Sequence, residues 1–252
     1  MLYNFIRFAA AAPFSRAYRG KLRWLLETKQ WEDRGIAATD IKRKAIVVPG
    51  TGAVFIAVSK VANTSLSFIL STRPGINSRN PHSKRFGPQR LVDTNRTLSD
   101  LANGLTPIFI FVRHPIDRFW SAYTDKIANS GEKNPQRRAI GAHLGRAPGD
   151  PIDPGDVVRY LSTTPVRLID EHFRPQWSCT GVEYLPIAFV GKLETIGSDM
   201  KELVARGFLT DEQQQRLPRF NSTKYRVRSN EKDINETLRQ IYRKDMELFD
   251  YD

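Results

Sequence analysis

The chain alternates between short apolar runs and longer amphipathic stretches, a rhythm that predicts buried strands between helices that cover one face each. Lys44-Ala-Ile-Val-Val48 and Val54-Phe-Ile-Ala-Val58 flank Pro49-Gly-Thr-Gly52, whose residues suit a tight reversal, so a hairpin is expected there. Beyond it Leu66, Phe68, Ile69 and Leu70 follow helical spacing, with Asn63 or Thr64 as the expected N-cap and Arg73-Pro-Gly75 as the stop. Ile108 to Val112 is a second wholly apolar run, and Pro115 stands where a following helix favours proline, in its first turn. That helix collects Ile116, Phe119, Trp120, Tyr123 and Ile127 on one side and Asp117, Ser121 and Asp125 on another. A third strand, Ile187-Ala-Phe-Val190, leads through Gly191-Lys-Leu-Glu194 into a helix on Ile196, Met200, Leu203 and Val204. From about Glu231 to Phe249 a single terminal helix is expected on Ile234, Leu238, Ile241 and Leu248.

Two stretches lack this periodicity. Residues 71–106 are polar and irregular, and are expected to form surface loops with short helices. Asn129 to Asp156 gathers Gly, Pro and Arg, and is expected to be a mobile excursion of the kind that closes over substrates. Strand-to-helix units on either side of these loops predict an α/β domain with a central, mainly parallel sheet flanked by helices.

A length of 252 residues is enough for one sizeable domain of this kind. Lys and Arg outnumber Asp and Glu by 39 to 27, so the charge of +12 favours acidic partners: phosphates, acidic glycans, nucleic acid or an anionic membrane face. Cys179 is the only cysteine, which excludes an intramolecular disulfide and a multi-thiolate metal site and fits a reducing compartment; it is expected to be a buried small hydrophobe. The apolar stretch in Met1 to Phe14 falls short of the ~20 residues a membrane span needs. Leu2 to Leu26 instead predicts an amphipathic helix, packed on the domain or lying on a membrane surface, and the expected location is the cytoplasm or the inner membrane surface.

The candidate chemistry sits where two strands end. A loop that leaves a buried strand and enters a helix presents unpaired backbone N–H groups, and with the helix dipole these bind phosphate. In Ser59-Lys-Val-Ala-Asn-Thr-Ser65, Lys60, Thr64 and Ser65 add one cation and two hydroxyls to such a loop. The glycines of a Walker A loop are missing, and the strand ending at Val112 delivers Arg113 rather than a Mg²⁺-binding aspartate, which disfavours a metal-nucleotide kinase or GTPase. Arg113 at the strand exit and Ser121 on the polar side of the next helix can meet on one phosphate. Two phosphate sites, one at each strand end, suit a nucleotide phosphorylated at both ends of its ribose.

On these residues the chain resembles sulfotransferase family 2, the group of the chondroitin and dermatan 4-O-sulfotransferases and their bacterial relatives. Ser59 to Ser65 is similar to the family's 5′-phosphosulfate loop, Pro-Lys-Val-x-x-Thr-Ser, and Phe111 to Tyr123 matches its 3′-phosphate motif, Phe-Val-Arg-x-Pro-x-x-Arg-x-x-Ser-Ala-Tyr. Asp170-Glu-His-Phe-Arg-Pro-Gln176 with Cys179, Phe189 to Glu194, and Tyr242 to Tyr251 extend the similarity, which runs from about residue 44 to the end. Ser59 replaces the usual Pro, Asn63 stands where Cys or Ser is usual, and Phe173 replaces Trp.

The resemblance implies a P-loop-like three-layer domain over 44–252 behind a helical extension over 1–43, a bacterial-type member, and 3′-phosphoadenosine-5′-phosphosulfate as donor, without a metal. It places Ser59, Lys60, Val61, Ala62, Asn63, Thr64 and Ser65 on the phosphosulfate and Arg113 and Ser121 on the 3′-phosphate, with Lys60 stabilising charge on the leaving oxygen. The acceptor it implies is a hydroxyl on a carbohydrate or glycolipid, and no nucleic-acid partner is expected. A base must take the hydroxyl proton: His172 leads and His82 follows, each with a structural or surface role as the competing reading. His114 is expected to start its helix and His143 to lie on the surface, while Glu194 is read either as binding a basic group near the strand end or, in preference, as capping the helix after it. Asn221-Ser-Thr-Lys224 is read equally as a nucleotide contact or a plain turn, and the Arg-rich stretches 73–96 and 133–146 as candidate surfaces for an acidic glycan. The competing functions are a basic glycan- or nucleic-acid-binding protein on the same fold, without activity, and a nucleotide-dependent kinase.

Overall fold

A computed structural model describes residues 28–70, 88–91, 94, 98–216 and 231–252. Helix α1 (Ala38–Lys44) runs directly into strand β1 (Ala45–Val47), which pairs antiparallel with β2 (Val54–Ile56) across the expected turn. The chain then enters α2 (Asn63–Ile69) and, further on, α3 (Leu98–Ala102) before β3 (Ile108–Val112), which lies parallel to β2. Helix α4 (Pro115–Tyr123) follows and widens into a π-helical turn, Thr124–Ala128. Three helices come next: α5 (Pro135–His143), α6 (Pro154–Thr163) and α7 (Gln176–Thr180). Strand β4 (Ile187–Lys192) then joins β3 in parallel, giving the order β1-β2-β3-β4. Helices α8 (Ile196–Ala205), α9 (Asp211–Gln215), α10 (Lys232–Ile241) and α11 (Arg243–Leu248) complete the described chain.

Alternation along β2 and β3 divides the core. Phe55, Phe109 and Phe111 point to one face and pack with Leu66, Ile69, Met200 and Leu203, while Val54, Ile56, Ile108, Ile110 and Val112 point to the other, against Ile41, Leu101 and Phe249. Both faces are covered, and for this reason the strands read as continuous apolar runs. Phe55 and Phe109 stack with ring centroids 5.2 Å apart, and burial of each such side chain contributes about 1.5–3 kcal/mol. Gly191 lies opposite Phe111 in the β3–β4 register, and a Cβ there would come 2.4 Å from the Phe111 ring. The glycine of Phe189-Val-Gly-Lys is thus the space that ring occupies. A third cluster, on Phe119, Trp120, Val157, Phe173 and Leu238, binds the α4, α6 and α10 helices together beside the sheet.

Several local expectations need correction. The cap of α2 is neither Asn63 nor Thr64: Ala62 holds that position in the left-handed region (φ 46°), and the Asn63 side chain accepts a hydrogen bond from Ser67 instead. The stretch from Asn129 to Asp156, expected to be a mobile excursion, contains α5, started by an Asn134 side chain that accepts from the Gln136 and Arg137 N–H groups. The terminal helix is two, broken at Tyr242, whose ring is buried and whose hydroxyl donates to the Phe173 carbonyl at 2.6 Å. Burial of that tertiary contact outweighs the uninterrupted helical pattern. Residues 36–44 pack into the core through Ile36, Ala38 and Ile41. Among the described residues no helix is long and apolar enough to cross a membrane. Leu2 to Leu26 lies outside them.

Candidate active site

The C-terminal ends of the parallel strands β2, β3 and β4 lie side by side, and each emits one candidate group: Lys60, Arg113 and Glu194. Ligands bind at such strand ends in open parallel sheets because the connecting loops and helix starts converge there.

After β2 the backbone turns through two left-handed residues, Lys60 (φ 68°) and Ala62 (φ 46°), neither of them glycine. Such a conformation persists only where surrounding contacts hold it. Arg118 supplies them. Its side chain is buried, and its guanidinium donates to the carbonyls of Ser59 (3.0 Å), Arg174 (2.9 Å) and Glu171 (3.1 Å). One side chain from α4 therefore ties the Lys60 loop to the segment 170–174. A second tie is ionic: buried Lys44 donates to Ser59 Oγ at 2.9 Å and pairs with Glu171 at 3.0 Å, and Arg43 pairs with the same carboxylate at 2.7 Å. Burial would raise the Glu171 carboxyl, but Lys44, Arg43 and His172 outweigh it and hold it below the ordinary range. Ser59 is thus tied to the scaffold through both its carbonyl and its hydroxyl.

Lys60 Nζ lies 3.0 Å from Asp125 Oδ2 in the π-helical turn after α4. The N–H groups of Asn63, Thr64 and Ser65 form the first turn of α2 and have no acceptor within that helix. Thr64 is exposed and Ser65 half-buried, beside the loop.

After β3 the arrangement differs. The Arg113 backbone is clamped by one side chain: Gln176 Oε1 accepts its N–H at 3.0 Å and Gln176 Nε2 donates to its carbonyl at 2.9 Å. Gln176 is fixed in turn by Asp245, whose carboxylate accepts the N–H groups of Gln176 (2.7 Å) and Trp177 (2.8 Å). Complete burial pushes the Asp245 carboxyl up to about 6, against the pull of those two N–H donors and Arg118. The Arg113 guanidinium itself makes no hydrogen bond or ion pair among the described residues. Burial lowers its pKa from the ordinary arginine value, with Asp117 and Glu194 opposing. Ser121 stands two turns along α4 from the strand exit, on the same polar side as Asp117.

Glu194 does not cap the helix that follows it. It accepts the His114 N–H at 2.8 Å, the first residue before α4, and the Tyr251 hydroxyl at 3.0 Å. Tyr251 stands edge-on to the His114 ring, with Lys192 4.5 Å above its face. Burial and the Glu194 carboxylate both raise the Tyr251 hydroxyl above its ordinary value. His114 thus begins α4 through its backbone, without a side-chain cap.

His172 Nδ1 lies 2.7 Å from Asp170 Oδ1, and the same oxygen accepts the His172 N–H. Burial would raise Asp170, but its bonds to His172 prevail and keep it below the ordinary range. An ionised Asp170 can only accept, so Nδ1 carries the hydrogen and Nε2 is the ring nitrogen not engaged by that carboxylate. His172 reaches the Lys60 loop through its neighbour Glu171 rather than by direct contact. His82 and Asn221 to Lys224 lie outside the described residues. His143 sits at the end of α5 with its ring on Tyr160, Cys179 is buried, and Arg137 and Arg146 are committed to the Ile127 and Asp150 carbonyls and to Asp156. Lys133, Arg138 and Arg146 are the exposed cations of that stretch, Arg146 being paired with Asp156.

Among the residues of this framework not singled out from the sequence are Arg118, Asp125, Glu171, Gln176 and Asp245. All except Asp125 lie inside the motif stretches already quoted, so the signal was present as a motif position without a role. Asp125 had only its place on the polar face with Ser121.

A cation on the β2 loop, a guanidinium after β3 without a bond among the described residues, and a buttress between the two loops are an arrangement suited to a doubly anionic ligand. In agreement with that geometry, the family model described as "Sulfotransferase family" matches residues 43–252, while no curated protein and no solved structure gives a match. With its match spanning both loops, the sheet and the terminal helices, the chain belongs to the sulfotransferase family.

Proposed function

We propose that the protein moves a sulfuryl group from 3′-phosphoadenosine-5′-phosphosulfate to a hydroxyl of a carbohydrate or glycolipid. The observation that carries this reading is the pair of loops at adjacent strand ends, bound into one unit by Arg118. Lys60 faces the phosphosulfate end and Arg113 with Ser121 the 3′-phosphate end, a division that recognises both ends of the ribose. In-line transfer needs alignment of acceptor oxygen, sulfur and leaving phosphate oxygen, with charge on the last of these stabilised as it forms. Lys60 supplies that charge, and the Ser59–Ser65 loop, with the Thr64 and Ser65 hydroxyls, seats the phosphosulfate. His172, held by Asp170, takes the acceptor proton through Nε2. The net charge of +12 favours an acidic glycan, with Lys133 and Arg138 as exposed contacts.

The test is transfer of labelled sulfate from the donor to a panel of glycans and glycolipids, run beside calorimetry with adenosine 3′,5′-bisphosphate. Wild type labels at least one hydroxylated acceptor, Lys60→Ala labels none, and Arg113→Ala binds the bisphosphate at least ~10-fold more weakly. A wild-type protein that does not bind the bisphosphate, or that instead transfers phosphate from ATP with Mg²⁺, overturns the reading.

A further inference from the structure

Lys60 is the cation on which the proposed transfer depends, and the structure shows it already engaged. Its Nζ lies 3.0 Å from Asp125 Oδ2, and Lys126 Nζ lies 3.0 Å from the same oxygen. The Lys60 side chain is 19% exposed and that of Asp125 is 50% exposed, so the pair stands at the mouth of the loop, within reach of an incoming anion. The left-handed backbone at Lys60 sets the direction in which the side chain leaves the loop, toward the π-helical turn Thr124–Ala128. The helix carrying Ser121 therefore also carries the partner of Lys60. We propose that Asp125 is the resting counter-ion of Lys60: without donor it holds the ammonium, and the anionic 5′ group of the donor then takes its place.

This inference rests on the transferase reading and adds a residue to it. Asp125 is a positioning residue, acting through Lys60. The exchange is easy for two reasons. A partly exposed ion pair is only weakly held, since water and salt screen it. Lys126 also stays on the carboxylate when Lys60 leaves, so no uncompensated charge is stranded. Burial would raise the Asp125 carboxyl, but its bonds to Lys126 and Lys60 hold it below the ordinary range, and it competes for Lys60 as a full anion. Until displaced, it also keeps the lysine out of the space that the donor's 5′ group must enter.

Calorimetry with adenosine 3′,5′-bisphosphate on wild type, Asp125→Asn, Lys60→Met and the double variant tests the exchange. Asp125→Asn keeps the side-chain shape but removes the competing charge, so it binds the bisphosphate about two- to fivefold tighter than wild type. In the Lys60→Met background the same substitution leaves affinity unchanged, because the competition it relieves is gone. Equal affinity of wild type and Asp125→Asn overturns the inference, as does an equal gain in both backgrounds, which reports only a change in the local field. Thermal melts of all four proteins establish that they fold alike; the half-exposed site makes that the expected result. Failure of wild type to bind the bisphosphate overturns the transferase reading as well, whereas binding with no effect of Asp125 overturns this inference alone.

Discussion

The loops after β2 and β3 each present one cation at a strand end, yet the protein prepares them in opposite ways. Arg113 has its backbone clamped on both sides by Gln176, while its guanidinium is left without a partner among the described residues. Lys60 has a strained backbone and an ammonium already paired with Asp125. The first is a guanidinium free of scaffold bonds on a clamped backbone, and the second an ammonium held by a neighbouring carboxylate. Under the proposed function, a guanidinium without scaffold bonds can meet a phosphate bidentately and break no contact, whereas the ammonium must first leave its carboxylate. Arg118, five positions after Arg113 in the same motif, sharpens the contrast: its three side-chain hydrogen bonds among the described residues all go to backbone carbonyls of the scaffold.

The comparison breaks first at Arg118. Replacing it with Met leaves three carbonyls without their donor and releases the Lys60 loop, a loss of about 4 kcal/mol by urea unfolding, with bisphosphate binding lost too. Gly191→Ala comes next, because its Cβ meets the fully buried Phe111 ring; about 3 kcal/mol is expected, and an unchanged melting temperature would show that the ring moves aside. Asp245→Asn removes one acceptor from the pair that fixes Gln176, at a cost of about 2 kcal/mol. Its pH dependence has a definite sign. With the folded carboxyl raised to about 6, Asp245 takes up a proton on folding, so its contribution is present below about pH 4 and lost as pH rises through about 6. The stability gap between wild type and Asp245→Asn therefore narrows over that window, and a gap that widens would contradict the assignment. Smallest of all is the effect of Arg113→Ala on stability, within about 0.5 kcal/mol, since its guanidinium bonds no scaffold group. A large loss there would erase the distinction between Arg113 and Arg118.

Strand runs, the Pro115 start of α4 and the two cationic loops were legible because each depends on near neighbours in sequence. The cap of α2 was not: Asn63 and Thr64 both have capping side chains, but the loop reaches the helix through a left-handed Ala62, a path set by Arg118 holding the carbonyl of Ser59. The break at Tyr242 was hidden for a similar reason, since only the buried hydroxyl bond to Phe173 decides it. Glu194 looked like a cap for the helix after it, and its real partners lie across the sheet at His114 and on the C-terminal Tyr251.

By itself, the sequence determined which residues could carry the chemistry: a lysine and an arginine, each at the end of an apolar run, with serine and threonine hydroxyls beside them. Periodicity and motif spacing act over a few residues, and that is the range over which such features are encoded. Only the tertiary structure decided which cation is free and which is paired. Arg118 to Ser59, Lys60 to Asp125 and Asp245 to Gln176 are separated by 59, 65 and 69 positions in the chain, and folding alone brings such partners within hydrogen-bonding distance.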